Sequence, residues 1–139
     1  MGDVRATARL RNIVDVGLAD RGYIKVEQIP SSERDFLIDT GAVMVLLPED
    51  EVENLRLMRG DKVIVTYADE RKEELPTGLG LEITISDRTM VTDCVIGPPL
   101  CEPLIGQLVL EELDLLVDCN QHTLRPRPES PYRPLLKLK

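Results

Sequence analysis

Asp39 is the residue best placed in this chain to do chemistry. It follows Phe36, Leu37 and Ile38 and precedes Thr40, Gly41 and Ala42. Three apolar residues in a row predict a strand buried on both faces, and a carboxylate at the end of such a strand is costly unless something satisfies it. Gly41 lets the backbone turn sharply and come close to that carboxylate. The Thr40 hydroxyl can hold a loop in place. The same residue types also make an ordinary Asx-type turn with no chemistry attached, and these seven residues alone leave both readings open. Cys94, Cys101, Cys119 and His122 could be offered as zinc ligands, but there is no C-x2-C pair, and the intervals of six and seventeen residues between the cysteines fit no structural zinc pattern. Cys94 falls on an alternating stretch and reads as core. His122, the only histidine, sits in a polar turn and reads as a surface residue. No glycine-rich phosphate loop is present, so neither a metal nor a cofactor is expected.

The setting for Asp39 is a small acidic chain. Its 139 residues predict one domain. Hydrophobic residues make up 42% and aromatics only 3%, so the core should be aliphatic. A net charge of -8 argues against nucleic acid as a partner, because that binding relies on Lys and Arg neutralising phosphates. No apolar run of about 18 residues is present, so no membrane span is expected. Met1 to Leu10 has no apolar core of a secretory signal. Three unpaired cysteines fit reduced thiols and a cytoplasmic location.

The elements around Asp39 read as mostly β. Val4 to Leu10 alternates apolar and polar residues with the period of a half-buried strand. Ile13 to Leu18 is a second short apolar segment, Ala19 to Gly22 a turn, and Tyr23 to Ile29 a further strand closed by Pro30. Arg34 to Asp39 is the strand of the central motif. After the apolar run Val43 to Leu47, Pro48 and the acids Glu49 to Glu51 start a helix. It should run to Leu55 or Met58, with Arg59-Gly60-Asp61 ending it. Lys62 to Tyr67 and Glu73 to Leu75 form a hairpin with a charged tip. Leu79 to Ile85 and Thr89 to Ile96 alternate cleanly and read as two more strands. Pro103 to Gly106, a helix over Gln107 to Leu113, and strands at Leu115 to Cys119 and His122 to Arg125 complete the domain. Four prolines from Pro126 onward predict an extended or poorly ordered tail. The segment Phe36 to Leu55 (strand, glycine turn, helix) returns in weaker form at Leu104 to Asp118, which suggests a pseudo-twofold domain. Only the first copy has an aspartate beside its glycine.

With these residues in place, the chain resembles the retropepsin-like aspartic proteases. Asp39-Thr40-Gly41-Ala42 after an apolar strand is similar to their active-site motif in its retroviral form. Cys94-Val95-Ile96-Gly97-Pro98, Leu104-Ile105-Gly106, the short helix and Leu115 to Asp118 are similar to the C-terminal half of retroviral proteases. The match covers Arg34 to Arg125, in the manner of the bacterial and archaeal single-domain forms.

The resemblance implies an all-β retropepsin-like half-barrel with short helices over residues 1–126, one lobe per chain and active as a homodimer, followed by a Pro-rich tail over 127–139. It implies an aspartic endopeptidase acting on polypeptides. Such enzymes use two carboxylates about 3 Å apart that share one proton, so a chain with one Asp-Thr-Gly needs Asp39 from a second copy. By the same resemblance Thr40 bonds across the twofold axis, Gly41 brings backbone to the aspartate, and Val63 to Leu75 is a flap over an extended substrate. Ala42, Tyr67, Ala68, Asp69 and Ile105 would then touch substrate. The chain departs from the family at the flap tip, Ala68-Asp69-Glu70-Arg71, where retroviral tips are glycine-rich, and at Gln107, where they have an arginine. A non-catalytic dimer of the same fold that binds peptides or only dimerises is the alternative.

Overall fold

The computed structural model describes residues 3–138; Met1, Gly2 and Lys139, the outermost residues of the expected domain and tail, lie outside the described residues. The chain is mostly β-sheet, 46% strand and 18% helix. Its first strand, β1 (Arg5–Asn12), runs directly into α1 (Ile13–Asp20). That helix stands where a short apolar segment among strands was expected. Its cause is Asn12: the side-chain Oδ1 accepts a 3.0 Å hydrogen bond from the Val14 amide, and Asp15 lies in the first turn. No strand forms at Tyr23 to Ile29, where a single 3₁₀ turn, Val26–Gln28, leads to Pro30.

β2 (Ser31–Ile38), β3 (Val45–Pro48) and α2 (Glu49–Leu55) follow. α2 stops at Arg56, which takes the left-handed conformation at φ 57°. Arg59 to Asp61, expected to end the helix, instead belong to β4 (Met58–Thr66). Arg56 is not a glycine, so the sequence lacks the usual stop signal. The end is fixed by the buried Asn12 amide, which donates to the carbonyls of Leu55 and Arg56 at 3.0 and 2.8 Å. β5 (Lys72–Ile85) is one strand of 14 residues, not two. Pro76 would interrupt a regular ladder, but it falls opposite a register shift between Gly60 and Val63, where no ladder bond is required of it. Thr77 compensates by donating its hydroxyl to the Asp61 carbonyl at 2.8 Å. A second shift between Gly78 and Leu81 places Gly80 at φ 76°, a left-handed bulge position that suits glycine.

β6 (Arg88–Gly97), β7 (Leu104–Ile105), α3 (Gln107–Leu113), β8 (Leu115–Asp118) and β9 (Thr123–Pro126) complete the order. Seven strands form one sheet in the order β1-β2-β7-β3-β6-β5-β4, and an added β1–β5 pairing joins its two flanks into a ring that leaves β4 outside. β8 and β9 form a separate two-stranded sheet. Within the ring, Leu10, Phe36, Leu47, Leu81, Ile83, Ile105, Val109 and Leu113 are fully buried. At about 25 cal/mol per Å² this aliphatic packing is the main stabilising term. Glu82, nearly buried, accepts from Arg11 at 2.7 Å and so fastens β5 to β1.

The internal repeat is present, but in a different register from the one the sequence suggests. β2 pairs in parallel with β7, β6 pairs in parallel with β3, and β3 meets β7 antiparallel. The equivalent units are therefore β2-β3-α2 and β6-β7-α3. Leu104-Ile105 corresponds to the strand that enters the helix, not to the strand that carries Asp39. The helix ends match as well. Arg56 and Asp114 both cap in the left-handed conformation. Asn12 holds the last carbonyls of α2, and the buried Arg88 guanidinium holds those of Leu113 and Asp114 at 2.9 and 3.0 Å.

Residues beyond Pro126 form no helix or strand among the described residues, yet part of this segment is fastened down. Ser130 is buried; its hydroxyl donates to Asp114 Oδ2 at 2.5 Å, and its carbonyl accepts from Arg88.

Candidate active site

β2, which lies between β1 and β7, delivers Asp39 beside the end of β7. The Leu37 amide donates to the Pro103 carbonyl at 3.0 Å and the Asp39 amide to the Ile105 carbonyl at 2.9 Å, so the strand's end is held against β7. The chain then reverses. The Ala42 amide donates to the Asp39 carbonyl at 3.0 Å, and the Gly41 amide donates to Asp39 Oδ1 at 3.0 Å. The Asx turn read from the sequence is thus formed, and it fixes one carboxylate oxygen in place. Among the described residues no cation pairs with this carboxylate. Asp39 is half-buried, and Thr40 and Gly41 are exposed beside it.

The loop after Asp39 rests on the second repeat. The first two amides of α3, Gln107 and Leu108, donate to the carbonyls of Ala42 and Val43 at 2.8 and 3.0 Å. Gly106 makes that approach possible. A Cβ there would lie 2.7 Å from Ala42 O, Met44 O and Val43 C, all backbone atoms. Its φ of -97° suits any residue, so the need for glycine here is steric.

A cavity of about 670 Å³ opens between this loop and the β4–β5 hairpin. Asp39 and Gly41 line one side with Ala42, Met44 and Leu46. Val63, Val65, Tyr67, Ala68 and Leu75 line the hairpin side, and Val95, Gly97, Pro98 and Leu104 close the back. Asp39 is the one charged side chain among the residues lining it. A carboxylate facing an aliphatic chamber can accept a proton from water next to a bound apolar group, with less competition from bulk solvent than on an open surface. A second groove of about 440 Å³, lined by Thr7, Arg9, Glu33, Thr84, Ser86, Asp87 and Thr89, is shallower and polar, and lies away from Asp39.

The hairpin tip is braced. The Tyr67 amide donates to the Arg71 carbonyl at 2.8 Å and the Arg71 amide to Asp69 Oδ1 at 3.1 Å. The Tyr67 hydroxyl donates to Glu73 at 2.8 Å, and the Arg71 guanidinium lies 4.5 Å from the centre of the Tyr67 ring. The bond to Glu73 raises the Tyr67 phenol above its ordinary pKa.

Of the residues singled out from the sequence, Asp39, Gly41, Ala42, Tyr67 and Ala68 meet at one cavity. Thr40 lies beside it. Asp69 is exposed at the tip and Ile105 is fully buried under the loop; neither lines the cavity, and Ile105 serves the site through its carbonyl. Cys94, Cys101, Cys119 and His122 do not gather: among the described residues no group of three or more metal-ligating side chains exists. Cys94 is fully buried, and burial pushes its thiol up to about 12. Val63, Val65 and Leu75 fall within the hairpin expected as a flap, whereas sequence reasoning missed the rest of the cavity wall, Met44, Leu46 and Val95. The alternation Val63, Val65, Tyr67 was the signal available for the hairpin side.

No helix of the described residues is long and apolar enough to cross a membrane. Compared with models of known protein families the chain matches none, and a search among curated proteins finds no match.

Proposed function

We propose that two copies of this chain form an aspartic endopeptidase of the retropepsin-like type. The observation that carries this reading is the Asp39 carboxylate, fixed by Gly41 on a loop seated on Gly106 and facing an aliphatic cavity under a hairpin. A single carboxylate serves as base or as acid at any moment, and peptide hydrolysis by this route needs both. A partner copy supplies the second role with its own Asp39. One carboxylate takes a proton from the attacking water while the other, protonated, polarises the scissile carbonyl. The polypeptide lies extended beneath the hairpin and pairs through its backbone, with Ala42, Tyr67 and Ala68 against its side chains. Thr40, exposed beside Asp39, bonds across the axis and braces both loops.

Incubation of the purified protein with a mixed peptide library, with Asp39→Asn and a pepstatin-type inhibitor as controls, tests the reading. Cleavage by the wild type that disappears in the variant supports it. Binding of peptides by both proteins without cleavage by either would replace it with a non-catalytic peptide-binding dimer. The braced, charged hairpin tip is the feature that favours that second reading.

A further inference from the structure

We propose that the C-terminal segment after Ser130 is a clasp that a second copy of this chain covers, an inference that rests on the paired-Asp39 reading. The segment is presented by a built anchor. The Asp114 carboxylate, 6% exposed, accepts from the Ser130 hydroxyl at 2.5 Å and from the Leu135 amide at 2.9 Å, and pairs with Arg127. Arg88, 4% exposed, donates to the Ser130 carbonyl from the other side. Buried charges committed to holding a tail are hard to account for if the tail has no task, because each carries a desolvation cost.

What the anchor holds out is apolar and uncovered. Tyr132 is 92% exposed, Leu135 60%, Leu136 54% and Leu138 94%. The four side chains leave on the order of 500 Å² open per chain, so that two copies reach roughly the 1,000 Å² at which specific interfaces begin.

Two observations, together with the proposed dyad, select a second copy as the occupant. The first is position. Asp114 caps the end of α3 whose other end seats the Asp39 loop, so the anchor lies about 10 Å, the length of a seven-residue helix, from the loop where the second Asp39 is required. The second is charge. Residues 127–139 carry Arg127, Arg133, Lys137 and Lys139 against Glu129, a net +3, which leaves -11 on residues 1–126 of a chain whose total is -8. In a pair of copies each basic tail meets an acidic body. The proposed dyad adds incompleteness, since one chain holds half of it.

Sedimentation across a concentration range, on the full-length protein, tests the clasp with two variants of exposed side chains that leave the fold intact. One carries Tyr132→Ser, Leu135→Ser, Leu136→Ser and Leu138→Ser; the other carries Arg133→Glu and Lys137→Glu. The expected result is a wild-type dimer whose dissociation constant rises at least tenfold in the serine variant and severalfold in the charge-reversed one, with unchanged circular dichroism. A dimeric wild type whose dissociation constant stays within twofold in both variants overturns the clasp and leaves the paired-Asp39 reading standing. A wild type that remains monomeric at high micromolar concentration overturns both.

Discussion

Replacing Gly106 with alanine should loosen the loop that carries Asp39 without touching any group that does chemistry. The added Cβ would meet three backbone atoms at 2.7 Å, and none of them is the free end of a side chain that can swing away. Relief requires α3 and the Ala42–Met44 backbone to separate by several tenths of an ångström. That movement stretches the bonds from Gln107 and Leu108 to Ala42 and Val43, now 2.8 and 3.0 Å. Overpacking of this kind costs about 1–3 kcal/mol, and weakening two hydrogen bonds adds on the order of 1 kcal/mol. Part of this is offset by about 0.4–1 kcal/mol, because φ at Gly106 is open to any residue and alanine reduces the freedom of the unfolded chain. The sum, roughly 1–3 kcal/mol, corresponds to a fall in Tm of about 5–10 °C for a chain of this size. Gly41→Ala is the control. Its Cβ would meet only Asp39 Oδ1, a side-chain atom, at 3.3 Å, so its cost should stay under about 1 kcal/mol. Thermal and urea unfolding of both variants, followed by peptide cleavage at a temperature where both are folded, checks the argument. A Gly106→Ala protein as stable and as active as the wild type would refute the claim that the second repeat seats the site.

Two further outcomes follow from the titratable groups. The Ser130 hydroxyl, then the Leu135 amide and Arg127, hold the Asp114 carboxyl below its ordinary value; the stabilisation is therefore present above about pH 4 and is lost as pH falls through the lower folded value. Melting curves taken from about pH 5 downward should converge for wild type and Asp114→Asn, and parallel curves would count against the anchor. Cys94, buried and protonated to about pH 12, should resist alkylation at pH 8 in the folded protein while the exposed Cys119 reacts; mass spectrometry of a brief labelling pulse gives the order, and early modification of Cys94 would contradict its burial.

The sequence carried different parts of this structure with different clarity. β6 and α3 could be read almost to the residue, because strict alternation and a short helical stretch directly after Gly106 are local signals. α1 was missed because its apolar residues suit a strand as well as a helix, and the deciding feature is one bond from Asn12 to Val14. β5 looked like two strands because Pro76 and Gly78 break its pattern, and only the facing bulge in β4 makes them tolerable. The site divides in the same way. Asp39 and Gly41 stood out because their types and order are distinctive. The aliphatic wall did not, since Met44, Leu46 and Val95 look like any other core residue until the fold leaves them facing space. Gly106 was visible as a turn, but its role depends on backbone 64 residues away in sequence, at Ala42.

The most direct test of the central claim is the rate of peptide hydrolysis by wild type and by Asp39→Asn, measured side by side at matched dimer concentration. Asparagine is nearly isosteric with aspartate and can still accept from the Gly41 amide, so the turn should survive and the fold with it. The account predicts cleavage by the wild type, and a loss of at least a thousandfold, on the order expected when a group acting as both base and acid is removed, in a variant that still folds and dimerises. A variant that cleaves as fast as the wild type would show that Asp39 takes no part in the reaction and would end the protease reading.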